Sequence, residues 1–349
     1  MRMESDFHMV KGDGETSYST NCRLQVCTYN SLSLKAFVYK KKAFFQTKPV
    51  LENAVREVCS AIRPPHLVIC DLGCGSGDNT LIFISEVINS SGSNVAGIQF
   101  FLNDLPGNDF NHVFRSVERF KNSVTAYHKG ERLFPFYIAG LSGSYYTRLF
   151  PSQSVHLFHS SYSLHWQSQL PDGLDGNNRN IYIAKGTLPY VAKLYQEQFQ
   201  KDLMLFLELR YDELVVGGQM VLTFLGRKEE DVYCGNLNYL FELLAQSLRS
   251  LAEKTVVKQT GLFDINEIEL FESNWDPYDD SEEDNVEDSI QSGENIAKCL
   301  RAVMETLFVS HFGESVLDAL FKEYASRVAE YLEREKTKYS VIVLSLQKR

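Results

Sequence analysis

HLVICDLGCGSG, residues 66–77, joins a short apolar run to a glycine-rich turn. The run at 67–72 is largely apolar and is followed by glycines, a pattern typical of a buried strand. The residues after the turn, NTLIFISEVI at 79–88, predict a helix. A glycine-rich turn between a strand and a helix lets a ligand lie against backbone N–H groups at the helix N-terminus. This stretch therefore predicts both an α/β fold and the position of a ligand site.

The alternation of strands and helices continues on both sides of that turn. Further short apolar runs predict strands at 97–102, 134–139, 155–158 and 219–224. Apolar periodicity predicts helices at 48–62, 109–120 and 188–214, and Pro64 and Pro65 end the first of them. Such alternation favours a doubly wound, mostly parallel sheet.

The pattern changes after Gly226, where helices predominate. Helices are predicted at 236–254, 293–308 and 315–336, and strands at 265–271 and 339–346. The acidic stretch DPYDDSEEDNVEDS at 276–289 is interpreted as a solvated loop.

Composition excludes several classes of protein. The 349 residues are 44% hydrophobic and 23% charged, which argues against disorder over most of the chain. A net charge of −10 makes nucleic acid an improbable partner. No uncharged apolar run reaches the ~18 residues of a membrane span, and early acidic residues argue against a signal or transit peptide. The seven cysteines form no CxxC pair, so reduced thiols and a cytoplasmic location are predicted.

The spacing of the glycines narrows the ligand. Gly73, Gly75 and Gly77 give GxGxG, which lacks the GxGxxG spacing of dinucleotide dehydrogenases and disfavours a nicotinamide oxidoreductase. Asp71 precedes the first glycine, an arrangement that suits the amino-acid end of S-adenosylmethionine. Asp104 follows the second strand, where a carboxylate can accept both ribose hydroxyls. A tight glycine turn with no ligand is the alternative.

A second constellation, HSSYSLHW at 159–166, follows the fourth strand. It places Tyr162, His165 and Trp166 at the carboxyl edge of the sheet, where ligands bind in such folds. The Trp indole N–H is a donor only, and a His can donate, so the two could hold a carboxylate; Gln25 could add an amide donor. Simple core packing is the alternative interpretation of these residues.

Several motifs together carry a family resemblance. They are GDGETSY at 12–18, DLGCGSGDNT at 71–80, FLNDLPGNDFN at 101–111, GSYYTRLFP at 143–151, SSYSLHW at 160–166, GGQMVLTFLGR at 217–227 and SHFGE at 310–314. In these motifs the chain resembles the plant SABATH carboxyl methyltransferases, which form methyl esters of small carboxylic acids such as salicylate, benzoate, anthranilate and jasmonate. Stretches such as MRMESDFHM at 1–9 are similar to the monocot benzoate, salicylate and anthranilate group.

The resemblance implies a set of site residues and no covalent nucleophile or general base. The positions that match the methyl-donor pocket are Tyr18, Asp71, Gly73, Cys74, Asn79, Asp104, Leu105, Ser144 and Tyr145. Those that match the substrate site are Gln25 and Trp166 at the carboxylate, Tyr162 and His165 beside it, and Phe241 and Met304 around the ring. Four further residues match the ring and cap positions less closely: Leu240, Val303, Leu307 and Tyr339.

The resemblance also implies an architecture: a Rossmann-like methyltransferase core with an α-helical cap. The expected divisions are an N-terminal active-site segment at 1–47, the S-adenosylmethionine-binding core at 48–235, the cap at 236–336 and a last core strand at 337–349. Expected function is methyl-ester formation on benzoate or salicylate first, with anthranilate or jasmonate after them. Expected partners are that acid and a second copy in a homodimer, with neither nucleic acid nor membrane.

This sequence departs from the family pattern at three places. Gly75 and Asp78 replace the usual Ser and Pro of the glycine turn, which predicts a looser loop. Residues 26–40 are inserted after Gln25, and a cap segment of the relatives is missing near 254–262. That segment supplies most ligands of the magnesium site seen in some members, of which only Asn177 is left here, so no bound metal is predicted. An impaired isoform that binds only S-adenosylmethionine or a partner subunit is therefore the alternative function.

Overall fold

The computed structural model describes residues 8–21, 42–76, 79–91, 95–127, 135–174, 187–226, 262–276, 278–279, 288–334 and 338–348. Several predictions fall on other residues. Gln25, Leu240, Phe241, Asn177, Asp78, the insertion at 26–40, the helix at 236–254 and the shortened junction at 254–262 lie outside the described residues.

A seven-stranded sheet forms the centre of the molecule. Its strands are β1 (His66–Leu72), β2 (Gly97–Asp104), β3 (Phe136–Ser142), β4 (Val155–Ser161), β5 (Leu214–Gly226), β6 (Phe263–Asn274) and β7 (Lys338–Lys348). They are ordered β3-β2-β1-β4-β5-β7-β6. The pairs from β3 to β5 are parallel, and β7 runs antiparallel to both β5 and β6. The predicted doubly wound, mostly parallel sheet is confirmed.

Helices cover both faces of the sheet. They are α1 (Tyr18–Asn21), α2 (Lys42–Ala61), α3 (Asn79–Ser90), α4 (Phe110–Tyr127), α5 (Pro189–Glu213), α6 (Ser289–Phe312) and α7 (Leu317–Leu332). Apolar residues of α2, α3 and α4 pack with β1 and β2 in one core cluster, and α5 packs with β4, β5 and β7 in another. The sheet is therefore buried on both faces, which explains the near-continuous apolar runs of its central strands.

The helices α6 and α7 form a layer over the carboxyl ends of the strands. Ile296 on α6 and Val328 on α7 share a buried cluster with Trp275, Tyr162 and Tyr339. This contact brings the helical pair beside the loop that follows β4. In the described part of the chain no helix is long and apolar enough to span a membrane.

Two elements differ from the sequence prediction for identifiable reasons. The strand predicted at 219–224 begins earlier, at Leu214, and runs through Gly217 and Gly218, with φ +79° at Gly217 and a register shift in the pairing with β4. β6 lies within the range 236–336 assigned to the helical cap, yet it pairs along its length with β7. Residues 263–274 therefore belong to the sheet, and along β6 the side chains of Ile268 and Leu270 are exposed while Glu267 and Glu269, which alternate with them, are half-buried.

Candidate active site

Two adjoining pockets open at the carboxyl edge of the parallel strands. The first, here the Asp71 pocket, is lined by Asp71, Gly73, Cys74, Asn79, Phe83, His159 and Thr223 among others. The second, here the Asp104 pocket, is lined by Gly75, Asp104, Leu105, Asn108, Ser144, Tyr145, Trp166 and Ser168 among others. Tyr18, Gly73, Ser161 and Tyr162 line both, so the two pockets adjoin, and together they are here called the cleft.

The turn after β1 brings its backbone close to both pockets. The N–H groups of Gly73 and Cys74 donate to the Asn103 carbonyl, each at 2.9 Å, which ties this turn to the end of β2. Gly73 has φ +76°, and a Cβ there would lie 2.0 Å from Ser163 Oγ. Only glycine fits, because any side chain would displace the loop after β4.

Hydrogen bonds hold Gly75 through both of its backbone groups. Its N–H donates to Asp104 Oδ2 at 2.6 Å, and its carbonyl accepts from Asn108 Nδ2 at 2.9 Å. A Cβ at Gly75, where φ is +62°, would lie 2.9 Å from the Tyr18 ring. Glycine at this position lets Tyr18 approach closely. The looser loop stays a prediction, since Gly77 and Asp78 lie outside the described residues.

Asp104 is a half-buried carboxylate with some of its acceptor capacity left for a ligand. Its two oxygens accept from the backbone N–H groups of Gly75 and Leu105, at 2.6 and 2.7 Å. Burial raises the pKa of Asp104 to about 6 and the nearby Asp71 adds to that rise, although the two backbone hydrogen bonds oppose it. Each oxygen has a second lone pair, so the carboxylate can accept hydroxyl groups as the sequence analysis expected.

Asp71 pairs with a histidine that the sequence does not assign to the site. His159 Nδ1 and Asp71 Oδ1 are 2.7 Å apart, and the His159 ring stacks on Phe83 with centroids 4.1 Å apart. Asp71 and His159 are register partners on β1 and β4, so their side chains share a face of the sheet. Knowledge of this strand order would have identified the pair, and the sequence alone does not supply it.

A buried ion pair on α5 fixes the loop that carries Ser144 and Tyr145. The Arg210 guanidinium donates to the carbonyls of Tyr145 and Thr147 at 2.8 and 2.9 Å and to Glu213 at 2.7 Å. Glu213 Oε1 in turn accepts from the N–H groups of Leu149 and Phe150. Both charged side chains are fully buried. The loop that forms this wall of the Asp104 pocket is therefore fixed by hydrogen bonds to α5.

The loop after β4 is held by hydrogen bonds at both ends. The Tyr145 hydroxyl donates to the Ser163 carbonyl at 3.0 Å, and that of Tyr146 donates to the Trp166 carbonyl at 2.8 Å. Beyond Trp166, the buried Asp202 accepts from both the backbone N–H and the hydroxyl of Ser168. These contacts fix the backbone of Trp166 at the rim of the Asp104 pocket.

Two titratable side chains near the cleft are uncharged at neutral pH. Burial lowers the pKa of His165 to about 4, and its ring lies 5.3 Å from that of Trp166. Burial also raises the pKa of the Cys74 thiol well above its usual range, with Asp104 and Asp71 adding to the effect. A thiol that stays protonated is a poor nucleophile, which is consistent with Cys74 acting as a wall of the pocket.

The structure brings together the residues expected at the methyl donor. The nine donor-pocket positions all line the cleft: Tyr18, Asp71, Gly73, Cys74 and Asn79 line the Asp71 pocket, and Asp104, Leu105, Ser144 and Tyr145 line the Asp104 pocket. Of the substrate positions, Tyr162 and Trp166 line it. His165 and Met304 do not line either pocket in the described part of the chain, while Val303 packs against the Tyr18–Ala302 cluster and Tyr339 against that of Tyr162.

Metal binding has no support from the described residues. Within the described ranges, no group of three His, Cys, Asp or Glu side chains is placed to hold a metal ion. The loss of the magnesium site stays a prediction, since Asn177 and the junction at 254–262 lie outside those ranges.

A family comparison agrees with the resemblance. The family model described as SAM dependent carboxyl methyltransferase, where SAM is S-adenosylmethionine, matches the chain in two segments, residues 4–262 and 253–349. The solved structure of a loganic acid methyltransferase with SAH, S-adenosylhomocysteine, has a TM-score of 0.73 and 28% sequence identity, covering 98% of each chain.

Curated relatives from Zea mays are similar over the whole chain. Anthranilate O-methyltransferase 1 is 51% identical over 391 residues, covering 100% of this chain and 98% of that protein, and inactive anthranilate O-methyltransferase 1 gives the same values. Benzoate O-methyltransferase is 46% identical over 400 residues, covering 100% of both. These alignments are longer than the 349 residues of this chain, so each relative has segments without a counterpart here.

Proposed function

This chain belongs to the SAM-dependent carboxyl methyltransferase family, and from that premise we propose that it transfers a methyl group from S-adenosylmethionine to the carboxylate of a small aromatic acid. The observation that carries the proposal is the cleft, in which Asp71, Asp104 and Trp166 line adjoining pockets. The two aspartates suit the ammonium group and ribose of the donor, and the Trp166 indole N–H suits a carboxylate.

The proposed chemistry needs positioning and little else. A benzoate-type carboxylate is already ionised at neutral pH, so its oxygen can attack without a general base. S-adenosylmethionine supplies a methyl group made electrophilic by its sulfonium sulfur. Trp166, with Gln25, would hold the carboxylate, and Tyr18, Ser144 and Tyr145 would shield the donor from water. The neutral His165 can support such a site as a hydrogen-bond donor without adding charge.

The relatives bear on which acid is methylated. The sequence favours benzoate and salicylate as the methylated acids. However, an anthranilate methyltransferase is 51% identical to this chain and the benzoate enzyme 46%. We therefore propose anthranilate as the first acid to test, with benzoate and salicylate next. All three present an aromatic ring that can stack on the apolar side chains expected at Phe241 and Met304.

A second candidate function is donor binding without turnover. An inactive relative is as similar to this chain as an active one, at 51% identity. The family model also matches in two segments that meet at 253–262, which supports the proposed loss of a cap segment at that place. A chain with an intact donor pocket and an incomplete cap would bind S-adenosylmethionine and leave the acid unmethylated.

Two measurements on purified protein separate these functions. Calorimetric titration with S-adenosylhomocysteine tests the donor pocket, and transfer of labelled methyl from S-adenosylmethionine to anthranilate, benzoate, salicylate or jasmonate tests the reaction. We expect micromolar binding and ester formation with at least one aromatic acid. The variant Trp166→Phe, which keeps an aromatic ring but loses the donor, should raise the KM of the acid about tenfold.

Each outcome points to one of the two functions. Binding without transfer to any acid would contradict the enzyme proposal and favour the binding function. Absence of S-adenosylhomocysteine binding would contradict both.

A further inference from the structure

His159 occupies a position in the cleft that the family resemblance does not assign. It lies on β4 opposite Asp71 of β1, in register across the two parallel strands. Its side chain is 13% exposed and that of Asp71 is 7% exposed, and both line the Asp71 pocket. Burying a polar pair without a ligand costs desolvation energy, so its position at the wall of a ligand pocket calls for an explanation.

The His159 ring is fixed from two directions. Phe83 of α3, itself 2% exposed, stacks on it with an interplanar angle of 12°. The Nδ1 atom faces Asp71 Oδ1 at 2.7 Å, so the N–H of that nitrogen donates to the carboxylate. A half-turn of the ring would keep the stacking on Phe83 but lose the contact with Asp71, so the stacking and the hydrogen bond together fix the orientation of His159.

Asp71 depends on that support. Among the residues that the structure describes, His159 donates the side-chain hydrogen bond that the Asp71 carboxylate accepts. One Asp71 oxygen is held in this way and the residue lines the Asp71 pocket, so the carboxylate keeps one orientation at the pocket wall. The backbone N–H groups of Gly73 and Cys74, which follow Asp71, donate to Asn103.

We propose that His159 is a positioning residue that acts through Asp71, holding its carboxylate toward the ammonium group of the donor's amino-acid end. This inference rests on the proposed function, since it needs S-adenosylmethionine in the cleft. It assigns His159 no contact with the transferred methyl group and no proton transfer. Its effect falls on donor affinity, and within the donor on the amino-acid end alone.

Two substitutions at one position separate the hydrogen bond from the ring. His159→Phe keeps a ring to stack on Phe83 and loses the N–H donor. His159→Asn loses the ring and keeps an amide N–H near the place of Nδ1. Two ligands make the readout specific: S-adenosylhomocysteine has the amino-acid end, and 5′-methylthioadenosine has the same nucleoside without it.

The expected result is selective. In calorimetric titrations of the full chain, His159→Phe should weaken S-adenosylhomocysteine binding about tenfold and leave methylthioadenosine binding unchanged. His159→Asn should recover S-adenosylhomocysteine affinity to within about threefold of wild type. In turnover assays, the KM of S-adenosylmethionine should rise in His159→Phe while the KM of the acid stays constant.

Other outcomes overturn the inference in distinguishable ways. Equal weakening of both ligands by His159→Phe would mean that His159 only supports the pocket wall. Unchanged S-adenosylhomocysteine affinity in a folded His159→Phe would mean that Asp71 needs no support. If the wild-type chain itself binds neither ligand, the proposed function fails, and this inference fails with it.

Discussion

The pKa of Asp104 differs clearly from that of an isolated aspartate side chain. Burial raises its pKa to about 6, above the value of 3.8 for an isolated side chain. Between these two values the folded chain binds more protons than the unfolded chain, so the contribution of Asp104 to stability falls as the pH rises through about 6. At neutral pH the ionised carboxylate is therefore a local cost to the fold, which a ligand with hydroxyl donors can offset.

This state of Asp104 predicts a pH dependence of donor binding. At pH 5, about one unit below its pKa, roughly one-tenth of Asp104 stays ionised, so wild-type affinity for S-adenosylhomocysteine should fall about tenfold from its value at pH 7.5. Asp104→Asn should bind more weakly at pH 7.5 and show little change between the two pH values. Calorimetry at both pH values measures this, and an equally steep pH dependence in the variant would assign the titration to another group.

Some of the site residues could be predicted from the sequence, and others could not. Asp71, Gly73 and Asp104 could be placed in one site from their positions at strand ends, because the carboxyl ends of parallel strands meet at one edge. His159 could not, because its partner lies on a strand distant in sequence, and only the strand order brings them together. Nor could the backbone hydrogen bonds of Gly75 to Asp104 and Asn108 be predicted, because both are long-range contacts.

At the scale of elements, the ends of strands and helices were harder to predict than their existence. The helix predicted from Lys48 begins at Lys42 and contains Pro49, although a proline inside a helix removes a backbone hydrogen bond and usually kinks or breaks it. The strand predicted from Gln219 begins at Leu214, with a register shift in its pairing with β4 that spans Gly217 and Gly218. This second difference depends on pairing between strands, which local patterns do not contain.

The ion pair on α5 predicts a large effect on stability. Arg210→Met leaves Glu213 buried without its cation and the carbonyls of Tyr145 and Thr147 without a donor. We expect a loss of about 3–5 kcal/mol in the free energy of unfolding, measured in urea. Arg148 is the matched control, since it lies on the same loop and pairs with Asp212 while both side chains are about half exposed.

Arg148→Met should cost under ~1 kcal/mol, because exposed pairs are screened by water. Equal losses in the two arginine variants would contradict the view that burial of the Arg210–Glu213 pair anchors the Ser144–Tyr145 loop.

At the scale of the whole molecule, the chain keeps the family fold over nearly its full length. The sheet order, the helices on both faces and a TM-score of 0.73 to a solved relative all agree with the fold that the sequence predicts. What the sequence cannot supply is the effect of the insertion at 26–40 and of the shortened junction on cleft closure. Homodimer formation and a cytoplasmic location stay predictions.

The charges of the chain and of the cleft bear on the order in which the donor and the acid bind. The whole chain has a net charge of −10, and the described residues that line the cleft include Asp71 and Asp104 but no Lys or Arg. An anionic acid that enters an empty cleft meets two carboxylates in a partly buried environment, where charges interact strongly. The donor brings an ammonium group, a sulfonium and its own carboxylate, so its net charge is positive. It offsets part of the negative charge of the cleft and places the sulfonium beside the acid.

We therefore expect the donor to bind first and the acid second. Anthranilate, which is itself fluorescent, should bind the ligand-free chain at least about tenfold more weakly than the chain saturated with sinefungin, which carries an ammonium group near the place of the transferred methyl. The complex with S-adenosylhomocysteine, which lacks the sulfonium charge and is neutral overall, should bind anthranilate more weakly than the sinefungin complex. Added salt should narrow these differences by screening. Equal anthranilate affinity in all three states would mean that residues outside the described lining supply the positive charge.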